Sequence, residues 1–262
     1  MEAFAGIDLA FAKKKRLPVC LCKRENGRLI PFPLDKHNAP IPPRGRGNAA
    51  SIKLSDVDEF AKETVNYLRD LESHFCVSIT RIAIDAPSEP RLESLKRRSA
   101  ESALDHEGIS CFTTPSALEF EVKVARAKAH LNGGGSESTL PAANQLWMQV
   151  GFALFKQLRT KWECLEVYPQ ATMHVLGASK LHKSKKEGLS AQMKAIVQYT
   201  GWDVPIAALK RVVCGPAHDG LDAYSSAWIA SLDPKERQPL GIPPDDVIWV
   251  PNLSKLRTIG TS

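Results

Sequence analysis

Four aspartates that lie far apart in the sequence stand where an apolar run ends or a helix begins. Asp8 ends AFAGID, Asp85 ends ITRIAID, and Asp219 and Asp222 lie in HDGLDAYSSAWIA. Carboxylates at the edge of a folded core cost free energy to remove from water, and two of them about 4 Å apart repel by about 4 kcal/mol at an effective dielectric constant of 20. A proton or a metal ion relieves that repulsion. The placement therefore predicts a site that binds a cation.

Asp219 and Asp222 lie three residues apart in the sequence. Residues three apart on an α-helix share a face, so we expect Asp219 and Asp222 to point together at the first strand. We place both in the first helical turn, where the helix dipole stabilises anions, and expect both to stay ionised. An alternative for Asp219 is a plain helix N-cap, because aspartate is favoured at that position.

Strands alternating with helices must position these acids. Apolar runs predict strands at residues 3–9, 17–23, 28–33, 78–85 and 164–168, the first three as an antiparallel meander. Helices are expected after residue 55 and over residues 91–107, 116–130 and 142–161, with a short strand near residues 109–112. No internal repeat or low-complexity linker marks a boundary. The sequence therefore predicts an α/β fold, with residues 1–262 in a single domain and a helical insertion at roughly 91–161.

Composition limits the class of protein. With 262 residues, 43% hydrophobic and 24% charged, a globular core is expected. A formal charge of +6 and a pI of about 9.0 favour polyanionic partners such as nucleic acid. The six cysteines include no CxxC pair, which is typical of a reduced, cytoplasmic protein. No signal peptide and no apolar run long enough for a membrane span is recognisable.

Short motifs in a fixed order carry a resemblance to a known superfamily. GID, IDAP, LEVYP and HDGLDA follow one another as in the ribonuclease-H-like superfamily, and GFALF with KKEGL is similar to an uncharacterised family of predicted nucleases with that fold. The resemblance covers roughly residues 4–230. It implies a mixed five-stranded sheet, with three antiparallel strands and then parallel strands, flanked by helices.

The same resemblance implies a function and a set of ligands. It implies a nuclease that hydrolyses phosphodiester bonds of DNA or RNA by a two-metal mechanism. The ligands of two Mg²⁺ or Mn²⁺ ions would be Asp8, Asp85, Asp219 and Asp222. In such enzymes the acid on the fourth strand is often glutamate, whereas this chain has Asp85.

Glu166 in LEVYP is a further catalytic candidate. An acid in a strand that alternates with apolar residues is unusual. It either joins the metal cluster or holds a nearby basic side chain, and the residues alone leave both alternatives open.

Basic side chains near the predicted site are candidates for binding nucleic acid. Each set also fits an ordinary solvent-exposed charged surface. The candidates are Arg44 and Arg46 in a loop at residues 35–48, Lys96, Arg97 and Arg98 in KRRSAESAL, and Lys123 and Arg126 at helical spacing.

Two rival functions fit the same motifs. Actin-like ATPases and sugar kinases also begin with a G-I-D strand, but their phosphate loop continues with glycine and serine or threonine, whereas here the residues after Asp8 are Leu9, Ala10, Phe11 and Ala12. The second rival is a non-catalytic nucleic-acid-binding protein that keeps the fold and a basic surface. Metal titration and cleavage assays separate these possibilities.

Overall fold

The computed structural model describes residues 1–34, 39–244 and 246–259, so residues 35–38 of the predicted loop lie outside the described part. The strands are β1 (Glu2–Asp8), β2 (Val19–Glu25), β3 (Arg28–Pro31), β4 (Ser78–Asp85), β5 (Glu163–Glu166), β6 (Arg237–Ile242) and β7 (Asp246–Pro251). The helices are α1 (Ala49–Ile52), α2 (Leu54–Phe75), α3 (Ser99–His106), α4 (Ala117–Asn132), α5 (Ala143–Leu146), α6 (Met148–Leu158), α7 (Pro169–Val175), α8 (Lys186–Thr200), α9 (Leu209–Val212) and α10 (Ala217–Ser231). Short 3₁₀ turns occur at Glu137–Thr139, Ile206–Ala208 and Pro234–Glu236.

The central sheet has the strand order β3-β2-β1-β4-β5. β1, β2 and β3 form an antiparallel meander, while β4 and β5 run parallel to β1. All five strands predicted from the apolar runs are present, and helices flank the mixed sheet as expected. β6 and β7 form a separate antiparallel pair.

Alternation along β1 sends its side chains into two different cores. Ala3, Ala5 and Ile7 pack in the core that contains α2 and α6, whereas Phe4 packs in the core that contains α10. Because side chains alternate along a strand, Asp8 leaves β1 on the same face as Phe4. The sheet therefore directs its first acid toward α10.

One glycine allows α10 to lie directly on the sheet. A Cβ atom at Gly6 would lie 2.0 Å from the carbonyl oxygen of Ala223 and 2.3 Å from the backbone nitrogen of Ala227. Real Cβ atoms do not approach other atoms that closely, so only glycine permits this contact. The contact brings the residue before Ala223, which is Asp222, to the end of β1.

Several predicted elements differ in the structure. The helix expected over residues 91–107 is confined to α3, and residues 109–112 form no strand. The helix expected over residues 142–161 is divided into α5 and α6. The β6–β7 pair was not predicted, and the single-domain division with its insertion stays a prediction. In the described part of the chain, no helix combines the length and the hydropathy that crossing a bilayer requires.

Candidate metal centre

The ends of two neighbouring strands place the first two acids side by side. β1 and β4 are parallel, and their register pairs Gly6 with Ala83 and Asp8 with Asp85. Residues paired in this way project from the same face of a sheet. Asp8 and Asp85 therefore lie together at the carboxyl edge of the sheet, on the face that α10 covers.

Helix α10 adds the third acid. Asp222 is buried, with 4% of its surface exposed. It raises the pKa of both Asp8 and Asp85, which shows that its charge lies near both carboxyl groups. The structure therefore brings Asp8, Asp85 and Asp222 together, as the sequence predicts.

Asp219 lies at the outer side of this group. Helix α10 begins at Ala217, with Pro216 at the N-cap position, so the alternative that Asp219 is the N-cap is wrong. Its Oδ1 lies 3.0 Å from His218 Nε2 and its Oδ2 lies 3.9 Å from Lys15 Nζ. Asp219 still raises the pKa of Asp8, so its charge acts on the cluster.

Burial and mutual repulsion make these acids hard to ionise. Burial, followed by the charges of Asp222, Asp85 and Asp219, raises the pKa of Asp8 well above its usual range. Burial and then Asp222 raise the pKa of Asp85 to about 8. Burial also raises the pKa of Asp222. Ionising all of these acids at once would therefore require more positive charge than the described residues around them supply.

The prediction that both late acids lie in the first helical turn is wrong for Asp222. The first turn of α10 contains Asp219, whereas Asp222 lies beyond it. The dipole acts mainly within that first turn. Desolvation therefore dominates at Asp222 and raises its pKa.

Lys183 is a member of the site that the sequence did not single out. Its ammonium contacts Asp222 Oδ2 in a short ion pair, and its side chain is 30% exposed. Burial alone would lower the pKa of Lys183, but Asp222, Asp8 and Asp85 together raise it overall. The lysine is thus the counter-charge of the aspartate cluster. In sequence it is one of several lysines between residues 180 and 186, and nothing there distinguishes it.

The donor chemistry of the cluster fits a hard divalent cation. Asp8, Asp85, Asp219 and Asp222 offer only carboxylate oxygens, which Mg²⁺ and Mn²⁺ prefer. As they stand, no three acidic, histidine or cysteine side chains within residues 1–34, 39–244 and 246–259 are close enough to enclose an ion. To bind an ion together, these acidic side chains would have to move closer to one another, and Asp222 would have to leave its ion pair with Lys183.

Glu166 belongs to a salt bridge on the opposite face of the sheet. Its partner in the β4–β5 register is Ile84, whose side chain packs in the α2 and α6 core. Both Glu166 oxygens accept hydrogen bonds from Arg98, at 2.8 Å each, and Oε2 also accepts one from the Ser88 backbone N–H at 2.8 Å. Of the two alternatives for Glu166, the structure shows the one in which it holds a basic side chain. After burial and Asp222, the charge of Glu166 also raises the pKa of Asp85, so its place among the catalytic acids stays a prediction.

Three of the predicted phosphate-binding arginines are engaged within the protein. Arg98 is 4% exposed, and its Nε also lies 3.1 Å from Asp246. The guanidinium of Arg97 lies 2.8 Å from Asp105, and that of Arg46 lies 2.6 Å from Glu59 and 2.7 Å from Glu63. Arg98 is therefore a buried structural residue rather than a surface contact, because its charge neutralises Glu166. Arg46 and Arg97 would have to leave their ion pairs to bind phosphate.

The other basic candidates lie at the surface. Arg44, Lys96 and Arg126 are exposed, and Lys123 is partly exposed. Lys96, Lys123 and Arg126 line one groove together with Thr113. Arg44 lines a different groove. The structure thus groups three of these side chains, and their binding of nucleic acid stays a prediction.

Comparison with known proteins identifies a family. A family model described as a protein of unknown function (DUF429) matches residues 6–245. The chain belongs to this family. No curated protein and no solved structure gives a significant match to it. DUF429 membership assigns no reaction to the aspartate cluster.

Proposed function

We propose that this DUF429 protein is a metal-dependent phosphodiesterase that hydrolyses DNA or RNA. The observation that carries the proposal is the register pairing of Asp8 with Asp85 beneath Asp222. The mixed five-stranded sheet is the architecture implied by the resemblance to the ribonuclease-H-like superfamily, and it supports that assignment. A cluster of carboxylates at one edge of a sheet is suited to holding the metal ions that assist hydrolysis of phosphodiester bonds.

Asp8, Asp85 and Asp222 would hold the divalent ions, with Asp219 as the outer ligand. When bound, Mg²⁺ or Mn²⁺ would neutralise charge on the phosphate and lower the pKa of an attacking water. The chain contributes the placement of the carboxylates, because β1 pairs with β4 and packs closely against α10 at Gly6.

Lys183 has a second role in this proposal. If Asp222 ligated a cation, the Lys183 ammonium would lose its partner and would be free to pair with a phosphate oxygen, for which lysine is a common partner. The same side chain would thus balance the acids without the cation and bind the substrate with it.

The surface supports a polyanionic substrate. The chain carries a formal charge of +6, and Lys96, Lys123 and Arg126 share one groove. Basic side chains along a groove bind a phosphodiester backbone without reading its sequence.

A phosphotransferase is less well supported. Loops that bind nucleotide phosphates present backbone N–H groups from glycine-rich turns. Here Leu9, Ala10, Phe11 and Ala12 follow Asp8, and the Phe11 side chain is buried in the core with 5% exposure. The chain after β1 therefore serves packing.

A cleavage assay tests the proposal. Purified protein is incubated with labelled single-stranded, duplex, hybrid and branched substrates in Mg²⁺, Mn²⁺ or EDTA. We expect cleavage that requires the cation, is abolished by Asp8→Asn and by Asp222→Asn, and is unchanged in Asp70→Asn, a control at an exposed position on α2.

The assay also separates the rival functions. Absence of cation-dependent cleavage on every substrate would overturn the proposed reaction. If calorimetry then shows that Mn²⁺ binds the wild type but not Asp222→Asn, a metal-dependent binding protein remains. If Asp8→Asn cleaves as fast as the wild type, the aspartates are structural.

A further inference from the structure

A pocket with mostly apolar walls opens directly beside Asp85. Phe112, Trp147, Met148 and Tyr168 form much of its wall, and Asp85 also lines it. Asp85 belongs to the aspartate cluster, so a molecule in this pocket would be adjacent to the proposed reaction centre. Aromatic walls next to a few polar groups are typical of sites that bind a flat ring.

Glu101 gives this pocket an unused acceptor. The residue is 3% exposed and lines the pocket. Its Oε1 accepts a hydrogen bond from the Thr114 backbone N–H at 2.7 Å, whereas Oε2 has no hydrogen-bond partner among the described residues. Oε2 forms an ion pair with the Nε of Arg97 at 3.7 Å, which is too long for a hydrogen bond. A buried oxygen without a donor is costly, and a ligand N–H would satisfy it.

An exposed aromatic ring marks the entrance. Phe112 lines the pocket but leaves 58% of its surface exposed. The chain segment that follows it contributes Thr114 to the pocket, and Thr113 and Pro115 to the groove that contains Lys96, Lys123 and Arg126. The pocket and the basic groove therefore share one wall. A chain of phosphates in the groove could place one of its bases in the pocket.

We infer that the pocket beside Asp85 binds a single unstacked nucleobase of the substrate, with Phe112 and Trp147 as stacking surfaces and Glu101 Oε2 as acceptor for an exocyclic amino group. The inference rests on the proposed function, because it makes the pocket the base subsite of the nuclease. Carboxylates accept from the amino group of cytosine, and enzymes that act on extruded bases read them by stacking and hydrogen bonding. Uracil and thymine present a carbonyl oxygen where cytosine presents the amino group.

Binding measurements without catalysis test the inference. Calorimetry in EDTA compares cytidine 5′-monophosphate, uridine 5′-monophosphate and ribose 5-phosphate. We expect the cytidine nucleotide to bind about tenfold more tightly than the uridine nucleotide, and ribose 5-phosphate to bind more weakly than both.

Two variants with a control locate the binding. Phe112→Ala should weaken both nucleotides about tenfold, because a stacking surface is lost. Glu101→Gln places an amide donor where Oε2 was, so the preference should invert toward the uridine nucleotide. Leu92→Ala removes another exposed apolar side chain, 68% exposed and outside the pocket, and should change neither affinity.

The outcomes separate this inference from the proposed reaction. Equal affinity for ribose 5-phosphate and both nucleotides, or unchanged affinities in Phe112→Ala, would overturn the base pocket even if cation-dependent cleavage is observed. Conversely, nucleotide binding with the expected variant pattern would stand if cleavage is never observed, and only the reaction would then be lost.

Discussion

Replacing Asp85 by asparagine removes one ionisable group from the cluster while keeping nearly the same side-chain volume. In the folded protein, burial and Asp222 raise the pKa of Asp85 from 3.8 to about 8. In the unfolded chain the group has its ordinary pKa and is ionised throughout pH 5–8. Folding therefore binds a proton in this range, so the stability of the wild type should fall as pH rises from about 4 to about 8, by up to about 1.4 kcal/mol per unit.

The loss of stability depends on the width of the pH interval over which Asp85 is protonated only in the folded protein. Between pH 5 and pH 8 the upper limit is about 4 kcal/mol. Asp85 is partly accessible to solvent, which screens the interactions that raise its pKa, so we expect about 2 kcal/mol. Asp85→Asn cannot ionise, and its free energy of unfolding should depend less on pH by that amount. At pH 8 in EDTA the variant should be more stable than the wild type.

Urea unfolding followed by circular dichroism at pH 5, 6, 7 and 8 in EDTA measures this difference. Asp70→Asn, at an exposed position, should keep the pH dependence of the wild type. Adding Mn²⁺ at pH 8 should stabilise the wild type much more than Asp85→Asn, because a ligand that binds only the folded state raises its stability. The reasoning is refuted if the wild type and Asp85→Asn show the same pH dependence.

Three further variants test other parts of the structure. Lys183→Met removes the ammonium that competes for Asp222, so the Mn²⁺ concentration for half-saturation in calorimetry should fall about tenfold while cleavage slows; an unchanged midpoint would contradict the competition. Arg98→Ala leaves Glu166 buried without its partner and should cost about 3–5 kcal/mol in urea unfolding, whereas a loss below about 1 kcal/mol would show that water replaces the arginine. Gly6→Ala forces β1 and α10 apart and should prevent soluble expression or lower the melting temperature by more than 10 °C, at about 2–4 °C per kcal/mol for a domain of this size, and a near-normal melting temperature would disprove the close contact.

The strands were predictable because each is an apolar run with clear ends. The acids at Asp8 and Asp85 mark where two of those runs stop, and parallel neighbours place such ends at one edge. The register between β4 and β5 was not predictable. A slip of one residue would have moved Glu166 to the face of Asp85, and only the fold shows that it pairs with Ile84.

Most of the site contacts that the sequence did not predict are made by long side chains. Lys183 reaches Asp222 from 39 residues away in sequence, and Arg98 reaches Glu166 from 68 residues away. A lysine or arginine in a charged run is ordinarily solvated, so the run itself gives no sign of these contacts. The β6–β7 pair escaped prediction because prolines interrupt its alternating apolar pattern, as at Pro239.

The β6–β7 pair sets a limit on how far the protein can be shortened. The family match ends at residue 245, yet the next residue, Asp246, holds the amino end of α3 through Ser99 N–H at 2.5 Å and also contacts Arg98 Nε at 3.1 Å. A chain trimmed to the matched range would retain all four cluster aspartates and lose the contacts of Asp246 with Ser99 and Arg98. α3 carries Glu101, so the trimmed protein would lose the support for one wall of the pocket beside Asp85. Deletion variants of this family should therefore be designed from β7 rather than from the boundary of sequence similarity.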